Sequence, residues 1–204
     1  MVELQDFQKV FHGRQPSLLG ARSLFAVLVP LVETADGLSL LYEVRSAGLR
    51  YHASEVCFPG GLMEKGETPA ECALRETFEE LHIPAAAIRL IGPLDFLHMR
   101  TESLMFPLLA QVDAAALKTM RLNPGEVETT FTVPVSYFEN HRPTVYRYAL
   151  RPEVSDFPYG EVQIPPDYVW TPGRMEVPVY HGLPYPLWGM TARITDGLFR
   201  ALRP

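Results

Sequence analysis

Residues 61–83, GLMEKGETPAECALRETFEELHI, place several acids at spacings that could do chemistry. Glu76, Glu79 and Glu80 lie three or four positions apart, so their carboxylates would be neighbours on an α-helix. Each like-charge contact of this kind costs roughly 0.2–0.5 kcal/mol. Mg²⁺ prefers oxygen ligands and is bound through carboxylates and substrate phosphates. The cluster therefore suggests a metal site, although RETFEE considered alone favours a solvated helix face.

The elements that must position these acids begin with a helix that starts near Thr68. Thr68 can cap the helix, Pro69 suits the first helical position and Glu71 completes a capping box, while Pro84 ends the helix. At about 100° per residue, one side is predicted to pack on a sheet; it comprises Ala70, Ala73, Leu74, Thr77, Phe78 and Leu81. The acids, with Cys72, fall on the opposite side and are predicted to project outward.

The full spacing is more specific than the helix face. Glycine, glutamate, arginine and three further glutamates occupy six fixed positions, which would match by chance about once in 10⁷ starts. The pattern resembles the signature of the Nudix hydrolases, G-x5-E-x7-R-E-U-x-E-E-x-G-U, where U is apolar. The matching residues are Gly61, Glu67, Arg75, Glu76, Glu79, Glu80 and Ile83. Thr77 and His82 depart from it; His82 would lie past the helix end in a left-handed conformation.

The resemblance implies a mechanism and a set of roles. It implies hydrolysis of a nucleoside diphosphate linked to another group, with Mg²⁺ or Mn²⁺ as the cofactor. Glu76, Glu79 and Glu80 would be metal ligands, joined by the carbonyl of Gly60, and Glu67 and Arg75 would orient them. A general base from a loop would be Glu126, with Glu128 next, or Glu76 itself could be the base.

The preceding segment, LLYEVRSAGLRYHASEVCFPGG, carries a second resemblance. It is similar to the coenzyme A pyrophosphatase branch, L-L-T-x-x-R-[SA]-x3-R-x3-G-x3-F-P-G-G, and LWGMTARI resembles the closing helix of that branch. The resemblance implies that Arg45 and Arg50 bind the substrate beside Gly60 and Gly61, since arginine suits phosphate recognition. The alternative for both arginines is a surface role near the acidic helix. Tyr42 replaces the threonine and Ser54 the first glycine of this pattern.

Two function classes remain in view. The favoured one is a diphosphatase that cuts coenzyme A or an acyl derivative to a phosphopantetheine product and adenosine 3′,5′-bisphosphate. The alternatives are an enzyme for another nucleoside diphosphate, such as ADP-ribose, NADH or a dinucleoside polyphosphate, and a non-catalytic nucleotide-binding module. Loss of the acids would mark the last of these, and all of the acids are present.

The bulk composition is that of an ordinary globular protein. The 204 residues are 47% hydrophobic and carry a formal net charge of −6, which disfavours nucleic acid as a partner. The two cysteines, Cys57 and Cys72, indicate a reduced, cytoplasmic protein, and no apolar run is long enough for a membrane span. The resemblance also implies a possible homodimer.

The chain is predicted to form a single α/β domain over residues 1–204, an α/β/α sandwich around a mixed sheet. A helix is expected at 3–11 and a closing helix at 189–202. Strands are expected at 23–32, 38–45, 88–97, 104–112 and 144–150, with HMRTES between the third and fourth. Residues 151–188 are rich in proline and aromatic residues, which excludes one long helix or a central strand, and are predicted to be an ordered excursion.

Overall fold

The computed structural model describes residues 1–14, 19–20, 23–99 and 102–203. The helices are α1 (Leu4–Phe11), α2 (Pro69–Leu81), α3 (Ala114–Thr119), α4 (Val135–Asn140) and α5 (Gly189–Ala201). The strands are β1 (Ser23–Thr34), β2 (Gly37–Arg45), β3 (Val56–Cys57), β4 (Gly60–Leu62), β5 (Ile88–Pro93), β6 (Leu97–Met99), β7 (Ser103–Val112), β8 (Val127–Pro134), β9 (Thr144–Leu150), β10 (Gly173–Tyr180) and β11 (Leu187–Trp188). In the described ranges no helix has the length and apolar character of a membrane span.

The main sheet is mixed, as the sequence predicts. Its strands follow the order β3-β2-β1-β7-β5, with β4 paired to β1, β6 to β7 and β8 to β2. Strands β1 and β7 run parallel over ten residue pairs, whereas the other pairs are antiparallel. The long parallel pair lies at the centre, so β1 can carry the short strand β4, and with it the start of the acidic segment, on its other edge.

Alternation along β1 divides the core into two layers. Ala26 and Leu28 face a cluster that includes Cys72, Ala73 and Leu81 of α2. The intervening residues of β1 face the opposite cluster, which contains residues of α4, α5, β10 and β11. Because successive side chains of a strand point to opposite faces, one sheet is covered by helices on both sides. The predicted α/β/α sandwich is confirmed.

The predicted elements agree with the structure in most places. The strand at 144–150 and the helices at both ends of the chain are confirmed. The segment 88–97 is broken into β5 and the beginning of β6, and HMRTES includes Arg100 and Thr101, which lie outside the described residues. Strand β8 was not predicted, since VETTFTVP follows a turn and alternates weakly.

A second sheet of three strands combines β9 with two strands, β10 and β11, from the proline-rich segment 151–188. Its order is β11-β10-β9, so β10 is the middle strand, and the prediction that this segment has no central strand is wrong. Pro178 of β10 lies opposite Val145 of β9, but β11 pairs only with Val179 and Tyr180. Position 178 is therefore an edge position on that side, which is where a strand tolerates proline.

Tyr42 of β2 joins the main sheet to α5 through a buried hydrogen bond. Its hydroxyl lies 3.0 Å from Oγ1 of Thr195, and both side chains are fully buried. The Thr195 hydroxyl donates its single hydrogen to the carbonyl of Thr191 (2.9 Å), so the Tyr42 hydroxyl is the donor to Thr195. Tyr42, which stands where the resembling pattern has threonine, thus links the main sheet to the helix α5.

This arrangement predicts unequal costs for two deletions of the same contact. Thr195→Val removes the acceptor of the buried Tyr42 hydroxyl and should lower the free energy of unfolding by about 1–3 kcal/mol. Tyr42→Phe leaves Thr195 bonded to Thr191 and should cost less, about 0.5–1.5 kcal/mol. Urea denaturation of both variants measures the difference. A larger loss for Tyr42→Phe would contradict the assigned direction of the hydrogen bond.

Candidate active site

Helix α2 begins and ends as the sequence predicts. The Thr68 hydroxyl accepts the Glu71 N–H and the Glu71 carboxylate accepts the Thr68 N–H, which completes the capping box. His82 follows the last turn in the left-handed conformation, φ 53°. Its Nδ1 donates to the carbonyl of Arg121 at 2.9 Å, a bond that glycine at this position could not make. Thr77 is buried, as expected for its place on the packed face.

The buried face of α2 is rotated from the prediction. Cys72, predicted on the charged side, is fully buried, whereas Phe78, predicted on the packed side, is 50% exposed. Glu80 is only 3% exposed and Glu76 is half-buried, so the prediction that the acids project outward is wrong for both. Of the three clustered acids, only Glu79 is exposed. The helix therefore presents two carboxylates toward the sheet.

Arg75 joins the acids of the motif into one network. It donates through Nε and Nη2 to the two oxygens of Glu67 (2.9 and 3.1 Å) and through Nη1 to Glu76 (2.8 Å). Nη1 also lies 3.4 Å from Glu79, and Nη2 donates to the carbonyl of Leu62. This paired guanidinium holds the pKa of Glu67 low, at about 2. The contacts are those expected of residues that orient the helix acids.

Gly60 and Gly61 fit closely against the acids. A side chain at Gly60 would collide with the backbone of Ala26 and Val27, and one at Gly61 would collide with the carboxylate of Glu76. The N–H of Gly60 donates to Oε2 of Glu80 at 2.8 Å. The Pro-Gly-Gly turn is thus required by space, because backbone and carboxylates meet here without room for a Cβ.

A buried carboxylate that the sequence analysis did not identify lies beside this site. Glu43 of β2 is 1% exposed; its Oε1 accepts from the thiol of Cys57 (3.1 Å), while its Oε2 is buried without a partner among the described residues. Burial and the nearby carboxylates raise the pKa of Glu43 to about 7 and that of Glu80 to about 9. Burial likewise raises the pKa of Glu76.

The loop that carries Glu126 is hydrogen-bonded to the C-terminal end of α2. The backbone N–H groups of Arg121 and Asn123 donate to the carbonyls of Leu81 and Glu80, which the helix leaves unpaired. At its other end, the carbonyl of Glu126 accepts the N–H of Ser46, just after β2. These bonds bring Glu126 to the same cavity as Glu76 and Glu80. Glu128 is exposed and does not line this cavity.

Glu76, Glu80 and Glu126 line a cavity of about 710 Å³. Gly60, Gly61 and Arg45 also line it. Many of the remaining wall residues are apolar, and several come from beyond residue 150, namely Met175, Val177, Trp188, Met190 and Ile194. The second sheet and α5 therefore contribute an apolar surface to the cavity that the acids also line.

The two predicted substrate arginines have different positions. Arg45 lines the cavity and its Nε is buried without a hydrogen-bond partner among the described residues. Arg50 is exposed, lies with its guanidinium 5.2 Å from the centre of the Tyr51 ring, and does not line the cavity. The structure thus brings Arg45 to the predicted site but leaves Arg50 outside it.

The donor set suits a hard divalent cation. Glu43, Glu76 and Glu80 are crowded, each raises the pKa of a neighbour, and one oxygen of Glu43 has no partner in the part of the chain that the structure describes. Carboxylate oxygens in such surroundings are the ligands that Mg²⁺ and Mn²⁺ prefer. Within the described ranges, no three His, Cys, Asp or Glu side chains are already arranged as a ligand set. Binding would therefore involve rotation of side chains, Glu79 above all, because it faces solvent.

Glu43 could have been found from the sequence by one signal. LLYEVR reads as a buried strand, and a charged residue in its middle is rare unless it is paired or functional. Glu43 falls on an unspecified position of the L-L-T-x-x-R pattern, so the resemblance does not mark it.

The raised pKa values predict a pH-dependent stability in the absence of metal. Glu43 and Glu80 hold protons in the folded protein that they release on unfolding at the same pH, because their folded pKa values lie above the ordinary value near 4.5. The free energy of unfolding should therefore fall as the pH rises from about 5 to about 9. Urea titrations in EDTA at several pH values measure it, and Glu80→Gln should flatten the slope. A stability that rises across this range would contradict the assignment.

Ser54 generates a second prediction. It occupies the place of a glycine in the resembling pattern and adopts φ 60°, the left-handed region that glycine favours. Ser54→Gly should raise the free energy of unfolding by about 0.5–1 kcal/mol, because left-handed backbone costs other residues about 1–2 kcal/mol. Its neighbour Ala53 does not have positive φ, so Ala53→Gly is the matched control and should lower stability. If Ser54→Gly and Ala53→Gly change the thermal stability by the same amount, the left-handed backbone of Ser54 does not cost stability as predicted.

Comparison with known proteins agrees with the geometry. The NUDIX domain model matches residues 23–150. A mitochondrial coenzyme A diphosphatase, NUDT8 of Mus musculus, is 30% identical over 88% of this chain and 78% of its own length. The peroxisomal coenzyme A diphosphatase ndx-8 of Caenorhabditis elegans is 34% identical over 68% of this chain and 56% of its own.

Nudix hydrolase 3 of Caenorhabditis elegans is 41% identical over 61% of this chain, which spans only 52% of that relative. The family match covers more than half of the chain and includes every acid of the motif in α2. The chain therefore belongs to the NUDIX domain family and is a Nudix hydrolase.

Proposed function

We propose that this protein hydrolyses the diphosphate bond of coenzyme A or an acyl-coenzyme A with the help of Mg²⁺ or Mn²⁺. The products would be phosphopantetheine or its acyl derivative and adenosine 3′,5′-bisphosphate. The observation that carries the proposal is the composition of the cavity, in which Glu76, Glu80 and Glu126 at one end meet an apolar wall from β10, β11 and α5.

The apolar wall favours a substrate with a long, weakly polar arm. Met175, Val177, Trp188, Met190 and Ile194 all come from outside the residues 23–150 that match the family. A pantetheine or acyl arm can bury its methylene groups against such a surface, each for about 0.8 kcal/mol. ADP-ribose offers a second sugar in place of that arm and would gain less there. The three related proteins include two named as coenzyme A diphosphatases, which supports the same substrate class.

The chain's own residues can be given roles in this reaction. Glu76, Glu79 and Glu80, with the carbonyl of Gly60, would hold the cation; when bound, it neutralises charge on the diphosphate and acidifies a water molecule. Arg75 and Glu67 would keep the helix acids in place through the contacts they already make. Glu126, which lines the cavity from the loop that is hydrogen-bonded to α2, would accept the proton of the attacking water.

A different nucleoside diphosphate is the second candidate, because the acidic end of the cavity suits any diphosphate. A non-catalytic nucleotide-binding module is disfavoured by the presence of every motif acid. We also keep a homodimer as a proposal, which size-exclusion chromatography with light scattering would test.

The product assay distinguishes these candidates. With Mn²⁺ or Mg²⁺, the protein should release adenosine 3′,5′-bisphosphate from coenzyme A and an acyl-coenzyme A faster than it cleaves ADP-ribose, NADH or a dinucleoside polyphosphate. Glu76→Gln should lower kcat at least about 100-fold, as expected when a group that acts in the transition state is lost. Chromatographic analysis of the products at equal substrate concentration measures the order.

The control for this assay is Glu139→Gln, which removes an exposed charge on α4 far from the motif in sequence and should leave the rates unchanged. Faster cleavage of ADP-ribose than of coenzyme A would defeat the favoured substrate, and wild-type rates in Glu76→Gln would defeat the assigned chemistry.

A further inference from the structure

Coenzyme A carries a 3′-phosphate in addition to its diphosphate, so its site needs a cation that is not already committed to the acids. If the proposed function holds, that cation must line the cavity and be free to pair with a dianionic group. The described arginines and histidines of the cavity wall are Arg45, His52, His98 and Arg193. They differ in how far their charge is already balanced.

Arg45 is close to the acids. Its charge lowers the pKa of Glu43 and of Cys57, which places its guanidinium near the buried carboxylate of β2. Glu126 belongs to the same group of interacting charges. Arg45 thus offsets part of the negative charge at the catalytic end of the cavity, where the diphosphate itself would lie.

The other predicted arginine and the histidine of the same loop are not available either. Arg50 lies outside the cavity wall, against Tyr51. His52 lines the wall, but its Nδ1 lies 3.1 Å from Oε2 of Glu55, so this ring already has a carboxylate partner. His98 lines the wall on β6, and its imidazole lacks the forked donor geometry with which a guanidinium binds phosphate.

Arg193 lines the cavity from helix α5, which packs on the face of the main sheet opposite to α2. It is half-buried, and none of the ion pairs formed by the described residues involves it. Its neighbours on the helix hold its position: Thr191 donates to the carbonyl of Val56 at 2.9 Å, and Ile194 packs in the core. The arginine is therefore a cation on a firmly held helix that lines the cavity and has no ion-pair partner among the described residues.

We infer that Arg193 binds the phosphate of the substrate that is remote from the scissile diphosphate, and so selects nucleotides with a 3′-phosphate. The guanidinium can donate two parallel hydrogen bonds to phosphate oxygens, and it stays charged at every working pH. This role replaces the one predicted for Arg50. It also explains why the closing helix contributes a charged residue to a wall that is otherwise largely apolar.

The test compares two substrates that differ only in this phosphate. For wild-type protein and Arg193→Ala, kcat/KM is measured on coenzyme A and on coenzyme A that lacks the 3′-phosphate. The variant should lower the ratio of the two values about 10- to 100-fold, the effect expected when one charge-assisted hydrogen bond is lost. Arg193→Lys should retain part of the preference for the 3′-phosphate, because lysine keeps the positive charge but lacks the forked donor geometry of the guanidinium.

Two controls separate phosphate recognition from loss of charge. Arg200→Ala removes the same charge from the same helix, where Arg200 pairs with Asp196 on the surface, and should leave the ratio unchanged. Arg50→Ala should also leave it unchanged. A fall of the ratio in Arg50→Ala, or equal losses on both substrates in Arg193→Ala, would overturn the inference.

A binding measurement keeps this result distinct from the proposed function. Calorimetry with adenosine 3′,5′-bisphosphate and with adenosine 5′-monophosphate should show tighter binding of the bisphosphate, and Arg193→Ala should abolish the difference. If wild-type protein does not cleave coenzyme A, the proposed function fails, and this measurement still decides the role of Arg193. If the two nucleotides bind equally to wild-type protein, Arg193 does not read the second phosphate.

Discussion

The structure depends on the burial of acidic side chains at the contact between α2 and the main sheet. Glu80 is almost completely buried, its carboxyl group receives one backbone N–H from Gly60, and Glu43 lies nearby with an oxygen that has no partner among the described residues. Burying charge without full compensation costs free energy. Such uncompensated carboxylates destabilise the fold. They are also the groups that a divalent cation binds. Stability and cation binding thus make opposite demands on the same residues.

Contacts in the surrounding fold hold those carboxylates close together. Glycine at positions 60 and 61 lets β4 approach both β1 and the Glu76 carboxylate. Arg75 compensates the more exposed acids, Glu67, Glu76 and Glu79, without reaching Glu80. The helix end is fastened to the loop that carries Glu126. Each contact is local, yet together they gather acids from α2, β2 and one loop at one end of a cavity.

The sequence predicted the parts of this arrangement that short-range rules determine. The capping box of α2 and the left-handed His82 follow from residue type and spacing, and the structure confirms them. The rotation of α2 was missed because the helical wheel ranked residues by hydropathy, whereas burial here follows the site: Glu80 is buried and Phe78 is exposed. The second sheet depends on pairing between distant segments, which no local pattern reports.

The central claim is that the buried carboxylates form a cation site, and a titration with Mn²⁺ tests it most directly. Isothermal calorimetry on the wild-type protein without substrate should detect binding, and Glu80→Gln should raise the Kd at least about tenfold, a loss of about 1.4 kcal/mol. Glu139→Gln, which removes an exposed charge on α4, should leave the Kd unchanged. Binding of Mn²⁺ with equal affinity to the folded wild-type protein and to Glu80→Gln would contradict the account.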